Sequence, residues 1–167
     1  EIENKIVEKN KDKLRWDNQV SGLEYKEINE KEVRNYLTRA KSNGRINFEF
    51  KDIKSALNKL GLIHEGKIFN AASVLFSVEN NLEVQTAVFA GIDKTTFLDI
   101  QQFRGNIFDL LKKSENYIKE HINWRAKMEK MRREEIPEIP VRAITEAIIN
   151  SLCHRDYSEL KSNEVAI

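Results

Sequence analysis

Near its C-terminal end the chain carries IPEIPVRAITEAIINSLCHRDY (residues 136–157), an apolar run with a glutamate, an asparagine, a cysteine and a histidine at helical spacing. From Pro140 to His154, residues Val141, Ile144, Ile148 and Leu152 share one face, and Ala147 and Ile149 widen it. Such a helix is expected to be covered on more than one side. Glu146 and Asn150 stand about 40° apart around its axis, and Cys153 and His154 prolong the line. A carboxylate on a largely buried helix is costly unless it is paired, or opens onto solvent or a ligand. Glu-x-x-x-Asn aims a charged oxygen and an amide oxygen at one spot. Those ligands suit a hard cation such as Mg²⁺, which keeps waters and adds substrate phosphates. By spacing alone, a structural hydrogen-bonded pair is the commoner use of this pattern.

The elements that must position these residues are legible upstream. Residues 1–13 read as a short charged helix, and 14–28 as an irregular arm or linker. Asn29 is placed to cap a helix, with Glu32 completing a capping box and Val33, Tyr36, Leu37 and Ala40 as its apolar stripe. Asn43-Gly44 ends it. A second helix is expected over 50–60, closed by Gly61, followed by a turn at Glu65-Gly66. The order suggests a small, winged-helix-like part over 29–68, whose second helix offers only Lys51, Lys54, Asn58 and Lys59 to DNA. Residues 82–91 (LEVQTAVFAG) read as a strand. The stretch GNIFDLLKKSENYIKEHI (105–122) is the clearest amphipathic helix, with His121 in its last turn, where the helix dipole favours a cation. The fold class is therefore α+β: a helical N-terminal part, then strands packed with two long amphipathic helices over 69–167.

At 167 residues the chain can bury roughly 70% of its extended surface, so it needs no disulfide or metal staple. Its single cysteine, Cys153, excludes an intrachain disulfide and suits a reducing cytoplasm. No apolar run has the length of a membrane helix, and no membrane partner is expected. Lys+Arg 28 against Asp+Glu 27 leaves the chain near neutral, so any nucleic-acid surface must be local. The one positive cluster is Arg125, Lys127, Lys130, Arg132 and Arg133. It sits in NWRAKMEKMRREE, whose alternation of Trp124, Ala126 and Met128 predicts a half-buried strand with a basic outer face. A charged strand edge and a polyanion contact are both compatible with it. The chain starts without Met and stops in an apolar alternation, as an excised piece of a longer protein would.

The segment RREEIPEIPVRAITEAIINSLCHRDYS, with NAASVLFS, VFAGIDKTTFLD and FRGNIFDLLKKSENYIKEHI before it, resembles a family of RecG-related, helicase-like transcriptional regulators. In that family a Schlafen/Alba-like N-terminal domain precedes this region and a histidine-kinase-like ATPase module follows. The resemblance runs from about residue 30 to 167 and is most specific over 133–158. It implies that residues from about 140 begin the ATPase module, and that Glu146 and Asn150 match its N-box. There Asn150 would help hold Mg²⁺ on ATP phosphates, and Glu146 would orient or deprotonate the attacking water in a hydrolysing parent. His154, Arg155 and Asp156 match the family's H-R-D-Y segment, whose first task is to end the helix and turn; Arg155 is a secondary candidate for a phosphate. No Walker A sequence and no Asp-x-Gly-x-Gly segment are present, so this chain by itself is not expected to hydrolyse ATP.

Three functions compete: a section of a DNA-associated regulator, a structural or homodimer-forming module using helix 105–122 and the strand end 165–167, and direct DNA binding through 29–60 or 125–133.

Overall fold

The structure, a computed structural model, describes residues 16–80, 82–92, 94–129, 132–159 and 161–167, with backbone alone at 129 and 132. The helix expected over 1–13 and Lys130 of the basic cluster lie outside these residues. Five α-helices and seven strands are present among them, a mixed α+β fold. They divide into two compact units: Glu1–Asn80 with Asp156–Ser158, and Asn81–Arg155 with Glu159–Ile167.

In the first unit Asn29 begins helix α1 (Glu30–Ser42), its side chain accepting from the Glu32 N–H at 3.2 Å. The expected capping box is half made. The Asn29 N–H donates instead to the Phe76 carbonyl at 2.7 Å, and Glu32 accepts from Asn35. Helix α2 (Ile53–Lys59) starts later than the sequence suggests, because the Asp52 carboxylate accepts from Ser55 N–H at 2.7 Å and makes the cap there. Strands β1 (Ile63–His64) and β2 (Lys67–Ile68) meet at Glu65-Gly66, both at positive φ as a two-residue hairpin loop requires. Helix α3 (Asn70–Phe76) follows, so this unit extends past the expected boundary at 68. Val33, Leu37, Leu57, Ile68, Ala72 and Phe76 fill its core.

Residues 16–28 form a linker wrapped on its own unit, the reading the sequence favours over an extended arm. Ser21 N–H donates to Ile68, Val78 N–H to Glu27, and Tyr25 Oη to Gly66, which fastens the segment to its own unit.

The second unit is built on strand β3 (Glu83–Phe89), central in a sheet of order β4-β3-β7. Strand β4 (Phe97–Arg104) pairs with it antiparallel, and β7 (Asn163–Ala166) pairs parallel, Val84 opposite Asn163. Helices α4 (Ile107–His121) and α5 (Val141–Cys153) carry Leu110, Ile144, Ile148 and Leu152 into one cluster with Val84 and Ile122. On the other face of the sheet Phe97 and Ile100 remain more than half exposed.

Two segments differ from their sequence patterns. Helix α5 is buried along one stripe only: Ile144, Ile148 and Leu152 are inside, whereas Glu146, Ala147, Ile149, Asn150 and Cys153 are exposed. A repeat of every fourth residue makes a narrow stripe, and the flanking small apolar residues had suggested a wider one. The basic segment is likewise not a single half-buried strand. It forms a hairpin of β5 (Trp124–Glu129) and β6 (Arg132–Pro137), with Trp124 through Met128 all exposed.

Candidate functional site

Pro140 starts α5, its carbonyl accepting from Ala143 and Ile144 with no N–H to leave unpaired. The buried stripe holds the helix on the sheet. It thereby turns Glu146 and Asn150 outward, one turn apart, on a surface they share with Arg142, Ala143, Ala147, Ile149, Cys153 and His154. Neither polar side chain has a hydrogen-bond or ion-pair partner among the described residues. The pair is accessible rather than tied up internally, as a ligand would require. It supplies two ligating side chains: no group of three or more His, Cys, Asp or Glu side chains able to hold a metal occurs among the described residues. That matches the sparse protein ligation of an Mg²⁺ held mainly by phosphates and water, and does not match an all-protein metal cage. The residues fit as one wall of such a site.

Arg155 has other work. Its guanidinium donates to the Glu83 carbonyl at 3.4 Å, to Asn163 Oδ1 at 3.2 Å and to the Lys161 carbonyl. Asn163 in turn donates to the carbonyl and hydroxyl of Ser151, at 3.0 and 2.6 Å. These bonds tie the end of α5 and the start of β7 to β3, so the guanidinium is committed to the crossover rather than turned to a phosphate. Asp156 accepts from Ser158 N–H at 3.1 Å, the local turn expected after the helix. Tyr157 stacks on Trp16, centroids 5.4 Å apart.

The cations of the hairpin are interleaved with carboxylates. Glu134 lies opposite Lys127 in the ladder, and Arg133 pairs with Glu135 at 3.0 Å. Arg125 faces Ile136 across the strands. Of Arg132 only the backbone pairing, with Glu129, is described. The basic face read from β5 alone is thus diluted by the returning strand.

The structure also assembles a polar seam that the sequence did not reveal. Asp99 on β4 and Thr86 on β3 face Tyr117 of α4, His121 lies beside Asp99, and Ser114 is buried one turn before Tyr117. His121 Nδ1 donates to the Tyr117 carbonyl at 2.8 Å, its ring stacks on Tyr117 at 4.2 Å, and Nε2 lies 3.7 Å from Asp99 Oδ2. Burial, reinforced by the Asp99 carboxylate, pushes the Tyr117 phenol up to about 12. The oxygens Asp99 Oδ2, Ser114 Oγ and Tyr117 Oη are buried and make no hydrogen bond of full geometry among the described residues. Strand β4 mixes apolar and polar residues on both faces, so no alternation announced it or placed Asp99 inward.

A groove of about 610 Å³ lies elsewhere, between α1 and the segment that leads to α2, lined by Arg34, Leu37, Thr38, Lys41, Phe48 and Phe50. Its cations are engaged: Arg34 bonds Glu30 at 2.6 Å and lies 3.8 Å over the Phe50 ring, and Lys41 pairs with Glu49.

No protein-family model matches the chain, and no curated protein does. Among solved structures it is similar to the crystal structure of the DIP2311 protein from Corynebacterium diphtheriae, with a TM-score of 0.68 and 17% identity over 89% of this chain. The chain spans 30% of the length of that structure, and the likeness is one of fold.

Proposed function

We propose that this chain is a central section of a DNA-associated transcriptional regulator, working in the cytoplasm, and that α5 is the N-box helix of its nucleotide-binding module. One observation carries the reading: Glu146 and Asn150 stand one turn apart on the outward face of a helix whose opposite stripe anchors it, with exposed Arg142 and His154 one turn before and after them. An accessible carboxylate and amide without internal partners among the described residues are free to meet a phosphate–metal ligand, and Arg142 one turn before Glu146 adds a positive charge beside it. Asn150 would supply an oxygen to Mg²⁺ on ATP, and Glu146 would hold water beside the terminal phosphate; the bound nucleotide supplies the remaining ligands. DNA would be met by other parts of the parent protein, since the cations of the hairpin are interleaved with carboxylates.

The test is calorimetric titration of Mg–ATP into the longer protein that contains this chain. Asn150→Ala is expected to abolish binding and Glu146→Gln to preserve binding while removing turnover. Because both side chains are exposed, neither change should move stability by more than about 0.5 kcal/mol. Unchanged affinity in Asn150→Ala overturns the assignment.

A further inference from the structure

The hairpin β5–β6 stands as a two-stranded sheet exposed on both faces, and a ribbon of two strands is marginal in water by itself. Its base is clasped. Asn123 donates from its backbone and side chain to the Glu138 carboxylate at 3.0 and 3.1 Å, and Glu138 N–H donates to the Asn123 carbonyl at 2.9 Å. That last bond sets the phase of the ladder. In an antiparallel pair, bonded and non-bonded positions alternate. With Trp124 opposite Pro137 and Arg125 opposite Ile136, the bonded partners of β5 on β6 are Ile136 and Glu134. Arg133 and Glu135 therefore direct their N–H and C=O groups outward along the free edge of β6, and Pro137 ends that row of donors.

A two-fold axis at Glu134 satisfies this edge with itself. It sets Arg133 against Glu135 of the partner subunit and Glu135 against Arg133 of the partner subunit. Four backbone hydrogen bonds close between outward groups, and opposite charges face each other twice. On the reverse face, Lys127 lies beside each of the two Glu134 carboxylates brought together at the axis. The Arg133–Glu135 pair within one strand is exposed at 66% and 59%, so exchanging it for the intermolecular pair sacrifices little. We propose that this chain self-associates by antiparallel addition of β6 to β6 of a second copy, making one four-stranded sheet β5-β6-β6-β5. The occupant is a second copy because the edge matches itself in hydrogen-bond phase and in the two Arg–Glu pairs, while the like-charged Glu134 pair at the axis is flanked by the two Lys127 ammonium groups. A polyanion would meet Glu134 and Glu135 along with the cations.

Sedimentation velocity across a concentration series tests this. The unaltered chain should show a monomer–dimer equilibrium. Arg133→Glu puts like charges opposite each other twice and should weaken it by about tenfold or more. Adding Glu135→Arg to that variant restores Arg opposite Glu and should return the dimer. Glu135→Pro removes one outward N–H, leaves the bonds to β5 in place, and should give monomer. Circular dichroism matched to the unaltered chain confirms that each variant folds. Monomer at every concentration, or a dimer indifferent to these changes, overturns the proposal. So does a monomer that binds duplex DNA and loses it on Arg133→Glu, which would assign the ribbon to nucleic acid.

Discussion

The hydroxyl of Thr145 on α5 donates to the Glu115 carboxylate on α4 at 2.8 Å, while Lys119 holds the other oxygen of Glu115 from one turn along α4. Lys119 first, and then Thr145, hold this carboxyl below the usual range despite partial burial. The bond crosses between the two helices that cover the sheet, so it fixes how α5, and with it Glu146 and Asn150, is rotated about its axis.

Thr145→Val keeps the shape of the side chain and deletes the bond. A loss of about 1 kcal/mol is expected in urea unfolding, the ordinary cost of one partly buried hydrogen bond. Glu115→Gln in the same background should add only the few tenths of a kcal/mol of its remaining i,i+4 ion pair with Lys119, because the bond to Thr145 is already gone.

Arg155 joins three segments through one guanidinium, reaching β3, Lys161 and β7. Arg155→Ala is expected to cost about 2–3 kcal/mol, since it strands two carbonyls and a side-chain amide oxygen that received charged donors. Hydrogen exchange locates the damage: amides of β7 should lose protection first and those of α4 should keep it. If nucleotide binding were lost with protection in β7 unchanged, Arg155 would be acting on ligand rather than on fold.

Glu83 supplies the acid limit of the second unit. Gln85, then Gln102 and Arg104, donate to its carboxylate and hold it at about 2 against an ordinary 4.5; the Arg104 bond measures 2.9 Å. A carboxyl depressed in the folded state contributes stability that is present above 4.5 and is lost as pH falls from there through about 2. Urea midpoints measured across that window should fall with pH. In Glu83→Gln the slope should flatten and stability at neutral pH should drop.

Some of this molecule is written in local sequence. The cap at Asn29, the Glu65-Gly66 turn, strand β3 and the apolar stripe of α4 each depend on residues within a few positions of one another, and each formed as expected. Others depended on a partner distant in sequence. β4 has the mixed alternation of a strand buried on neither face completely, and only its pairing with β3 defines it. The cations of β5 looked like a basic face until Glu134 and Glu135 were brought opposite and beside them by the return strand. The candidate site divides the same way. That Glu146 and Asn150 lie a turn apart follows from helical pitch, whereas Arg155 could not be assigned to the crossover before β7 was known to lie beside β3.

The sequence by itself determined the α+β class, the long helices and the common side of Glu146 and Asn150, because propensity, capping and periodicity act over a turn or two. Only the tertiary structure decided that this side faces outward, that the basic segment folds back on itself, and that Asp99, Tyr117 and His121 share a seam. Those outcomes depend on which surfaces cover one another, and burial is a property of the assembled layers rather than of any one segment.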